Sequence, residues 1–364
     1  MKNHSKRFLL KCKGNERLKI DVHVHFLPDS YKKALLENGI VNPDRFPVPD
    51  WDLKTHLETM TTLGIATSML SITSPGINFG DNHAAKILAH KVNEEGAELV
   101  REYPCCFGLL ASLPLPDLEA SLAEIEYAMD ALDVDGFTLL TNSQGVYLGD
   151  PRLDPVMEEL NRRKAVVAIH PTEPSSLPDN VAENLPIPAM EYFFDTTRTI
   201  TNMILNRTMK RFPDIKFVVP HAGAFLPILA DRLSAFVMYN TNKSKVSSNF
   251  YLPYKGSFLP KMVYKAVPLL QAMMVKKEVD APDVFGDLRS LYYDVAGFCI
   301  PKQLSTLLQI VSIDHLFYGS DYPHTPEIGC FSLVGALEDT DLLTDRERQA
   351  VCRDNALKLF PRLK

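Results

Sequence analysis

Short apolar runs alternate with longer amphipathic stretches from residue 19 to the end of the chain. Short runs bounded by turn residues are typical of buried strands, and apolar positions three and four apart are typical of helices. Eight strands are predicted over Lys19–His25, Ala66–Ile72, Cys105–Ser112, Val134–Leu140, Ala165–His170, Lys216–Pro220, Ser290–Val295 and His315–Ser320. Helices are predicted between most of them, over Asp52–Leu63, Asn82–Glu102, Leu118–Leu132, Asp154–Arg163, Met190–Phe212 and Phe225–Tyr239.

Eight strands alternating with helices favour a closed (β/α)8 TIM barrel over an open doubly wound sheet. A dinucleotide-binding sheet would also need a GxGxxG motif after a strand, and the chain has none. Residues 240–287 interrupt the rhythm, so we expect an insertion between strands six and seven that covers the mouth of the barrel. Residues 1–18 form an N-terminal extension, which leaves residues 19–364 as the barrel domain.

Composition narrows the class of partner. The 364 residues are 46% hydrophobic, which is enough for a sizeable core, and 39 basic against 45 acidic residues give a net charge of −6. The chain lacks the excess of basic residues that is typical of proteins that bind nucleic acid or an anionic membrane. A small-molecule partner is therefore expected. No apolar run reaches membrane-spanning length, and the six cysteines lack CxxC spacing. These features favour a cytoplasmic protein with reduced thiols.

The first strand, within KIDVHVHFLPD, carries two histidines in an otherwise apolar run. Side chains two apart on a strand share a face, so His23 and His25 should point together, with Val22 and Val24 on the opposite face. Two imidazoles on one face are an unusual way to fill a core.

Three further polar residues follow predicted strands: His170 after strand five, His221 after strand six and Asp321 after strand eight. The carboxyl ends of barrel strands converge on one site, so these groups should meet His23 and His25 there. Any one of these histidines alone is more often a packing or capping residue. Together, imidazoles and a carboxylate suit a divalent transition metal with an open coordination position.

The motifs IDVHVHFLPD, IHP, FDTTR, RFPDIKFVVPHAGAFLP and YGSDYPH resemble those of the amidohydrolase superfamily. They are most similar to its decarboxylase branch, the aminocarboxymuconate-semialdehyde decarboxylase family, and the resemblance extends from Lys19 to about Leu359. The phrases FLPDSY, SITSPG and TNSQGVYLGD resemble decarboxylases of the 6-methylsalicylate type.

The resemblance implies roles for the residues at the strand ends. It makes His23, His25, His170 and Asp321 the ligands of one metal ion, and His221 the acid or base that holds or deprotonates a water at that ion. The fourth strand, in DGFTLLTN, lacks the lysine of binuclear relatives, so a mononuclear site is implied. A histidine-rich ligand set favours zinc, with manganese as the alternative.

The substrate pocket has five candidates: Arg45, Trp51, Phe26, Phe298 and Arg232. An aromatic acid would need a cation and aromatic walls. Arg232 matches the arginine that relatives send into a neighbouring subunit's active site, which implies a homodimer. An exposed salt bridge is an equally good interpretation of Arg232, and ordinary packing is the better one for Trp51 and Phe298.

Two other features are interpreted as structural. Asp195 and Arg198 lie three apart in FDTTR, a spacing that suits an ion pair within one helix. His324 lies three residues beyond Asp321, close enough to reach the rim of the site, but packing or surface exposure is the preferred interpretation.

The resemblance and the strand-end residues together predict a metal-dependent, non-oxidative decarboxylase of a small aromatic or muconate-type carboxylic acid. A proton delivered by Asp321 or by a water held by His221 would replace the carboxylate as CO2 leaves. One alternative is a mononuclear metal-dependent hydrolase of a lactone or amide, since the fold hosts both chemistries. A second is a metal-binding protein without catalysis.

Overall fold

The structure, a computed structural model, describes residues 18–241 and 281–363. Eight parallel strands follow one another around a barrel. The strands are β1 (Lys19–His25), β2 (Ile65–Ser71), β3 (Phe107–Ser112), β4 (Gly136–Leu140), β5 (Val166–His170), β6 (Lys216–Val219), β7 (Tyr292–Asp294) and β8 (Leu316–Phe317). The ring closes where Val22 and His25 of β1 donate backbone hydrogen bonds to Tyr318 and Tyr322, at 3.0 and 2.8 Å. The predicted (β/α)8 barrel is confirmed.

Helices lie between the strands and cover the outside of the barrel. The α-helices are α1 (Asp29–Glu37), α2 (Leu53–Leu63), α3 (Asn82–Glu102), α4 (Leu118–Asp130), α5 (Asp154–Arg162), α6 (Glu191–Leu205), α7 (Thr208–Arg211), α8 (Leu226–Thr241), α9 (Val284–Ser290), α10 (Lys302–Leu307), α11 (Glu327–Asp339), α12 (Asp345–Gln349) and α13 (Asn355–Leu359). One prediction was wrong, because the single helix expected over Met190–Phe212 is two helices. Arg207 separates them with φ of 59°, a left-handed conformation that cannot continue a helix.

Buried apolar residues form two layers. The inner layer fills the barrel with Ile20, Val22, Met69, Leu110, Val166, Val218 and Phe317, one or two from most strands. The outer layer lies between the strands and the helices. Branched and aromatic residues filling a barrel from successive strands are what the fold requires.

Strand β1 contains a bulge that changes which residues point inward. Asp21 pairs with Ser68 but Val24 pairs with Leu70, so β1 has one more residue than β2 over this stretch. Val22 therefore packs in the inner layer while Val24 packs in the outer layer. The expectation that these two valines share a face was wrong, because an extra residue shifts the alternation.

The insertion expected over residues 240–287 falls mostly outside the described residues, which resume at residue 281 with α9 shortly after. The extension at residues 1–17 lies outside them as well. None of the described helices is both long and apolar enough to cross a membrane. The described cysteines form no disulfide: Cys106, Cys299, Cys330 and Cys352 are buried, and Cys105 is exposed.

Candidate metal centre

The barrel fold brings the strand-end residues to one place. His23 and His25 end β1, His170 ends β5, His221 follows β6 directly, and Asp321 follows β8. The ring centroids of His23 and His25 are 5.1 Å apart, and that of His170 is 5.4 Å from His23 and 4.8 Å from His25. The predicted convergence is present, and both imidazoles of β1 take part in it.

Four side chains offer one potential metal-ligand atom each, and we call His23, His25, His170 and Asp321 the metal cluster. These four atoms all lie within 4.8 Å of one another. The Nε2 atoms of His23 and His25 lie 3.5 and 3.2 Å from Asp321 Oδ1. Both nitrogens are nevertheless buried without a hydrogen-bond partner among the described residues. Buried polar atoms that approach one another without hydrogen bonds fit the ligands of a shared cation.

The charge state of the metal cluster also suits a cation. Burial lowers the pKa of His25, His170 and His221, so these imidazoles are neutral and their nitrogen lone pairs are free. Burial opposes ionisation of Asp321, but the imidazoles of His23 and His25 hold its pKa well below the usual value. Neutral imidazole and ionised carboxylate are the forms that bind divalent transition metals.

His23 differs from the other imidazoles because two carboxylates flank it. Burial alone would lower its pKa, but Asp294 and Asp321 outweigh burial and raise that pKa well above its ordinary value. Its Nδ1 lies 2.9 Å from Asp294 Oδ2. A cation that takes Nε2 would therefore displace a proton from His23.

His221 lies beside the metal cluster in a strained turn. Its ring centroid is 5.2 Å from that of His23, and its other side stacks on Phe193 at 5.5 Å and 16°. Its φ is 55°, a left-handed value that is uncommon for a residue with a side chain. A Cβ at Gly297 would lie 3.1 Å from His221 Cδ2, so a glycine there leaves room for the ring. Strain of this kind is found where surrounding structure holds a functional group in place.

Two residues at the site were missed or misjudged from the sequence. Asp294 ends β7 and contacts His23, so the strand-end rule that selected the other residues would have found it. His324, assigned to packing or the surface, packs its ring edge-on against His25 with centroids 5.6 Å apart, which places it at the rim of the site. Its Nε2 is buried and has no hydrogen-bond partner in the described parts of the chain. His324 is therefore a site residue with an unused polar atom.

The predicted substrate residues lie in several parts of the described structure, and Phe26 is buried in the outer layer. Trp51 donates its indole N–H to His56 Nδ1 at 2.9 Å and packs in the outer layer, so it has the packing role. Arg45 donates to the carbonyl of Glu183 at 3.2 Å. Phe298 is 76% exposed in the loop after β7. None of these, nor Arg232, makes a hydrogen bond, ion pair or ring contact with the metal cluster in the residues described.

Arg232 is exposed on α8, where its guanidinium lies 5.0 Å from the ring centroid of Phe236. This position is compatible with either a contact to a second subunit or an ordinary surface role. A role for Arg232 in the neighbouring active site stays a prediction.

Asp195 on α6 is fully buried and forms a closed polar network. It accepts hydrogen bonds from Thr141 Oγ1 at 2.5 Å and Tyr147 OH at 2.7 Å, both in the segment after β4. The carboxylate also accepts hydrogen bonds from Asn142 Nδ2 at 3.2 Å and from Arg198 Nη1 at 2.5 Å. The predicted Asp195–Arg198 pair is present, and the wider network joins α6 to the end of β4.

A cavity of about 770 Å³ opens on the same face of the barrel, over the ends of β2 to β5. Its wall combines apolar side chains such as Ile72, Leu113 and Leu140 with hydroxyl groups such as that of Thr172. Two links place it beside the metal cluster: Thr172 lies two residues after His170, and the residue after Ile72, Thr73, has its hydroxyl 3.2 Å from His170 Nε2. The lining that the structure describes contains no cationic side chain.

A sequence model of the amidohydrolase family matches residues 20–238 and 266–362. The decarboxylase yanB of Aspergillus niger is 33% identical, covering 94% of this chain and 88% of its own. The 6-methylsalicylic acid decarboxylase of Penicillium expansum is 32% identical, covering 95% of this chain and 97% of its own. These matches confirm the family resemblance indicated by the motifs.

Solved structures share the fold. A crystal structure of an amidohydrolase II superposes with a TM-score of 0.81 at 38% identity, covering 94% of this chain and 99% of its own. A dihydroxybenzoic acid decarboxylase from Polaromonas, crystallised with bound manganese and an inhibitor, superposes with a TM-score of 0.70 at 18% identity, covering 95% and 97%. At that identity the second likeness concerns the fold alone.

Proposed function

The chain belongs to the amidohydrolase family, and we propose that it is a metal-dependent, non-oxidative decarboxylase of a small aromatic carboxylic acid. The metal cluster is the observation that carries this proposal, because its buried ligand atoms converge without satisfying one another. Decarboxylases among the relatives, similar over almost the whole chain, point to loss of CO2 rather than hydrolysis.

We propose that His23, His25, His170 and Asp321 hold one divalent ion. When bound, the ion would supply a positive charge that orients the acid and stabilises negative charge as the carbon–carbon bond breaks. Three imidazoles and one carboxylate favour zinc, and manganese is the alternative that metal analysis would reveal.

The cavity over β2 to β5 supports one orientation of the substrate. Its described lining has a carboxylate, Glu173, and no cation, so a substrate carboxylate finds its attractive partner at the metal cluster and not in the cavity. The ring and its neutral substituents would then lie against Ile72, Leu113 and Leu140. An ortho-hydroxybenzoate such as 6-methylsalicylate meets both demands, since its two oxygen groups lie at one end and its methyl group is apolar.

Decarboxylation needs a proton at the ring carbon that bears the carboxylate, after which that carbon keeps the bonding electrons and CO2 leaves. His221 is the better proton carrier, because its Nδ1 is buried without a partner among the described residues. Asp321 is less suited, since one oxygen faces His23 and His25 and the other accepts from Thr325 Oγ1 at 3.2 Å. We therefore propose that His221 relays a proton from water to the ring carbon and that Asp321 is a metal ligand.

The test combines elemental analysis of the purified protein with CO2 release from a panel of ortho-hydroxybenzoates that includes 6-methylsalicylate. About one equivalent of zinc or manganese is expected, with CO2 from at least one acid. In D2O the product should carry one deuterium on the carbon that lost the carboxylate. One equivalent of metal with no CO2, but with opening of a lactone or amide, would replace the decarboxylase by the hydrolase.

We also propose that the protein is a homodimer that works in the cytoplasm. Ile228, Arg232 and Phe236 recur every four residues on α8 and all are exposed, so they form one surface stripe with apolar character. Light scattering coupled to size-exclusion chromatography should give a mass near twice that of the chain. A monomer at micromolar concentration would remove the reason to place Arg232 in a neighbouring site.

A further inference from the structure

Asp294 is a buried carboxylate at the end of β7 that contacts both the metal cluster, at His23, and the backbone of His221. Its Oδ2 lies 2.9 Å from Nδ1 of His23. Its Oδ1 accepts hydrogen bonds from the backbone N–H groups of His221 and Ala296, each at 3.0 Å. Burying a carboxylate is costly unless its oxygens are well bonded, and here both oxygens are engaged by residues of the site.

The bond to His23 decides which nitrogen can bind a metal. A carboxylate oxygen can only accept, so Nδ1 must keep a proton, and Nε2 is the nitrogen that can give up its proton and bind a metal. That nitrogen faces the metal cluster, 3.5 Å from Asp321 Oδ1. Asp294 therefore holds His23 in the tautomer and ring orientation that ligation requires.

The other two imidazoles are held in the same way but by neutral acceptors. His25 Nδ1 lies 3.0 Å from Ser71 Oγ, whose own hydroxyl donates to the carbonyl of Val24. His170 Nδ1 lies 2.6 Å from the carbonyl of Pro171. Among the three imidazoles of the metal cluster, only His23 is held by a charged acceptor. This charge makes His23 a more basic ligand than His25 or His170.

The second oxygen of Asp294 holds the turn that carries His221. The N–H of His221 has no place in a strand ladder, since the residue follows β6 with φ of 55°. The bond to Asp294 satisfies that N–H and ties the strained turn to the end of β7. One side chain thus positions a metal ligand and the acid or base beside it.

We infer that Asp294 is a positioning residue that sets the affinity of the metal cluster through His23 and fixes the place of His221 through its backbone. The inference rests on the proposed function only in that a divalent ion binds the metal cluster. It requires no particular substrate, so metal binding and CO2 release test the two proposals separately.

The experiment measures the affinity of the full chain for Zn2+ by competition with a chromophoric chelator, in the wild type and in Asp294→Asn. Asparagine has nearly the same shape as aspartate but carries no charge. Only one of its two terminal atoms can accept a hydrogen bond from Nδ1–H of His23. We expect affinity to fall by roughly 10- to 100-fold. At saturating metal, kcat should also fall while KM changes little, because His221 loses its anchor. Wild-type affinity in Asp294→Asn would overturn the inference.

Two further measurements separate positioning from folding. Asp195→Asn, which alters an equally buried carboxylate away from the metal cluster, should leave Zn2+ affinity unchanged. In a His23→Ala background, Asp294→Asn should cost no additional affinity, since Asp294 acts through His23; an equal loss in that background would contradict the inference.

The inference is also testable if Asp294→Asn does not fold. In wild-type protein loaded with Zn2+, the Nδ1 proton of His23 should resonate far downfield and exchange slowly, as expected for a proton shared with a buried carboxylate. A proton that exchanges freely there would overturn the inference. Tight metal binding with no CO2 from any acid would instead remove the proposed reaction and leave the role of Asp294 standing.

Discussion

Two buried polar groups on the same face of the barrel are completed in opposite ways. In the Asp195 network the carboxylate receives hydrogen bonds from Thr141, Asn142 and Tyr147 and pairs with Arg198. In the metal cluster the nitrogens nearest to Asp321 have no hydrogen-bond partner among the described residues. The histidines of the metal cluster and the carboxylate of Asp195 are buried, so exposure to water does not supply their missing partners.

The difference separates a structural polar cluster from a functional one. A buried carboxylate surrounded by donors joins elements together and gains nothing from a ligand. In the metal cluster, imidazole nitrogens face a carboxylate without forming hydrogen bonds to it, and a bound cation would interact favourably with all of these atoms. The predictions below alter residues in or beside the metal cluster and then a residue of the Asp195 network, and compare the effects on metal content, turnover and stability.

The largest effect is expected from His170→Ala, which removes a ligand from the metal cluster. Metal content should fall well below one equivalent, and CO2 release should fall with it by roughly 1000-fold, because the charge that stabilises the reaction is lost. Elemental analysis and CO2 release are measured on the same preparation. His83→Ala, an exposed histidine on α3, is the control. Full metal occupancy at a normal rate would contradict the ligand assignment of His170.

The next effect is expected from His221→Ala, which separates proton delivery from ligation. The metal cluster keeps its four ligands, so about one equivalent of metal should remain while the rate falls by roughly 100-fold or more. A loss of metal in proportion to the loss of rate would make His221 a ligand instead.

A smaller effect is expected from His324→Phe, which keeps a ring against His25 and removes the unpartnered Nε2. If that nitrogen contacts the substrate, kcat/KM should fall roughly tenfold, as for one lost hydrogen bond, with metal content unchanged. His324→Gln restores a polar atom and should recover part of the loss. An unchanged kcat/KM in the phenylalanine variant would return His324 to a packing role.

The smallest effect on turnover, and the largest on stability, is expected from Asp195→Asn. Replacing this carboxylate leaves donors unmatched in a buried network, so unfolding should become easier by about 2 kcal/mol. Urea denaturation measures the change, and metal content with kcat should stay at wild-type values. Glu58→Gln, which breaks the exposed pair with Lys54, is the control and should barely change stability. A loss of metal in Asp195→Asn would mean that the two regions are coupled.

The sequence was sufficient for the features that depend on local pattern. Strand ends that carry His or Asp predicted the metal cluster, because a parallel barrel brings those ends together whatever the loops do. The bulge in β1 was out of reach, since it depends on the number of residues in β2 that pair with it. The place of Trp51 in the outer layer depends on how the segment before α2 packs against the barrel, and the local sequence pattern does not show this packing.

Asp294 shows a different limit. It lies near the end of the predicted strand Ser290–Val295, but outside the motifs that resemble the family. What identifies Asp294 is the approach of its two oxygens to His23 and to the backbone of His221, which are far from it in the chain. Contacts of this kind arise only when β1, β6 and β7 are assembled.

The extra residue in β1 also bears on how such a site could be grafted onto another barrel. In a regular strand, alternate side chains point into the barrel. A host barrel whose first two strands pair without a bulge could therefore present both histidines inward, but it would turn Val22 to the outside. Here the bulge lets Val22 fill the barrel below while His23 and His25 still point into its mouth. A design that copied the ligands without the extra residue would contain the correct amino acids, but the side chains of its first strand would not all point to the correct side.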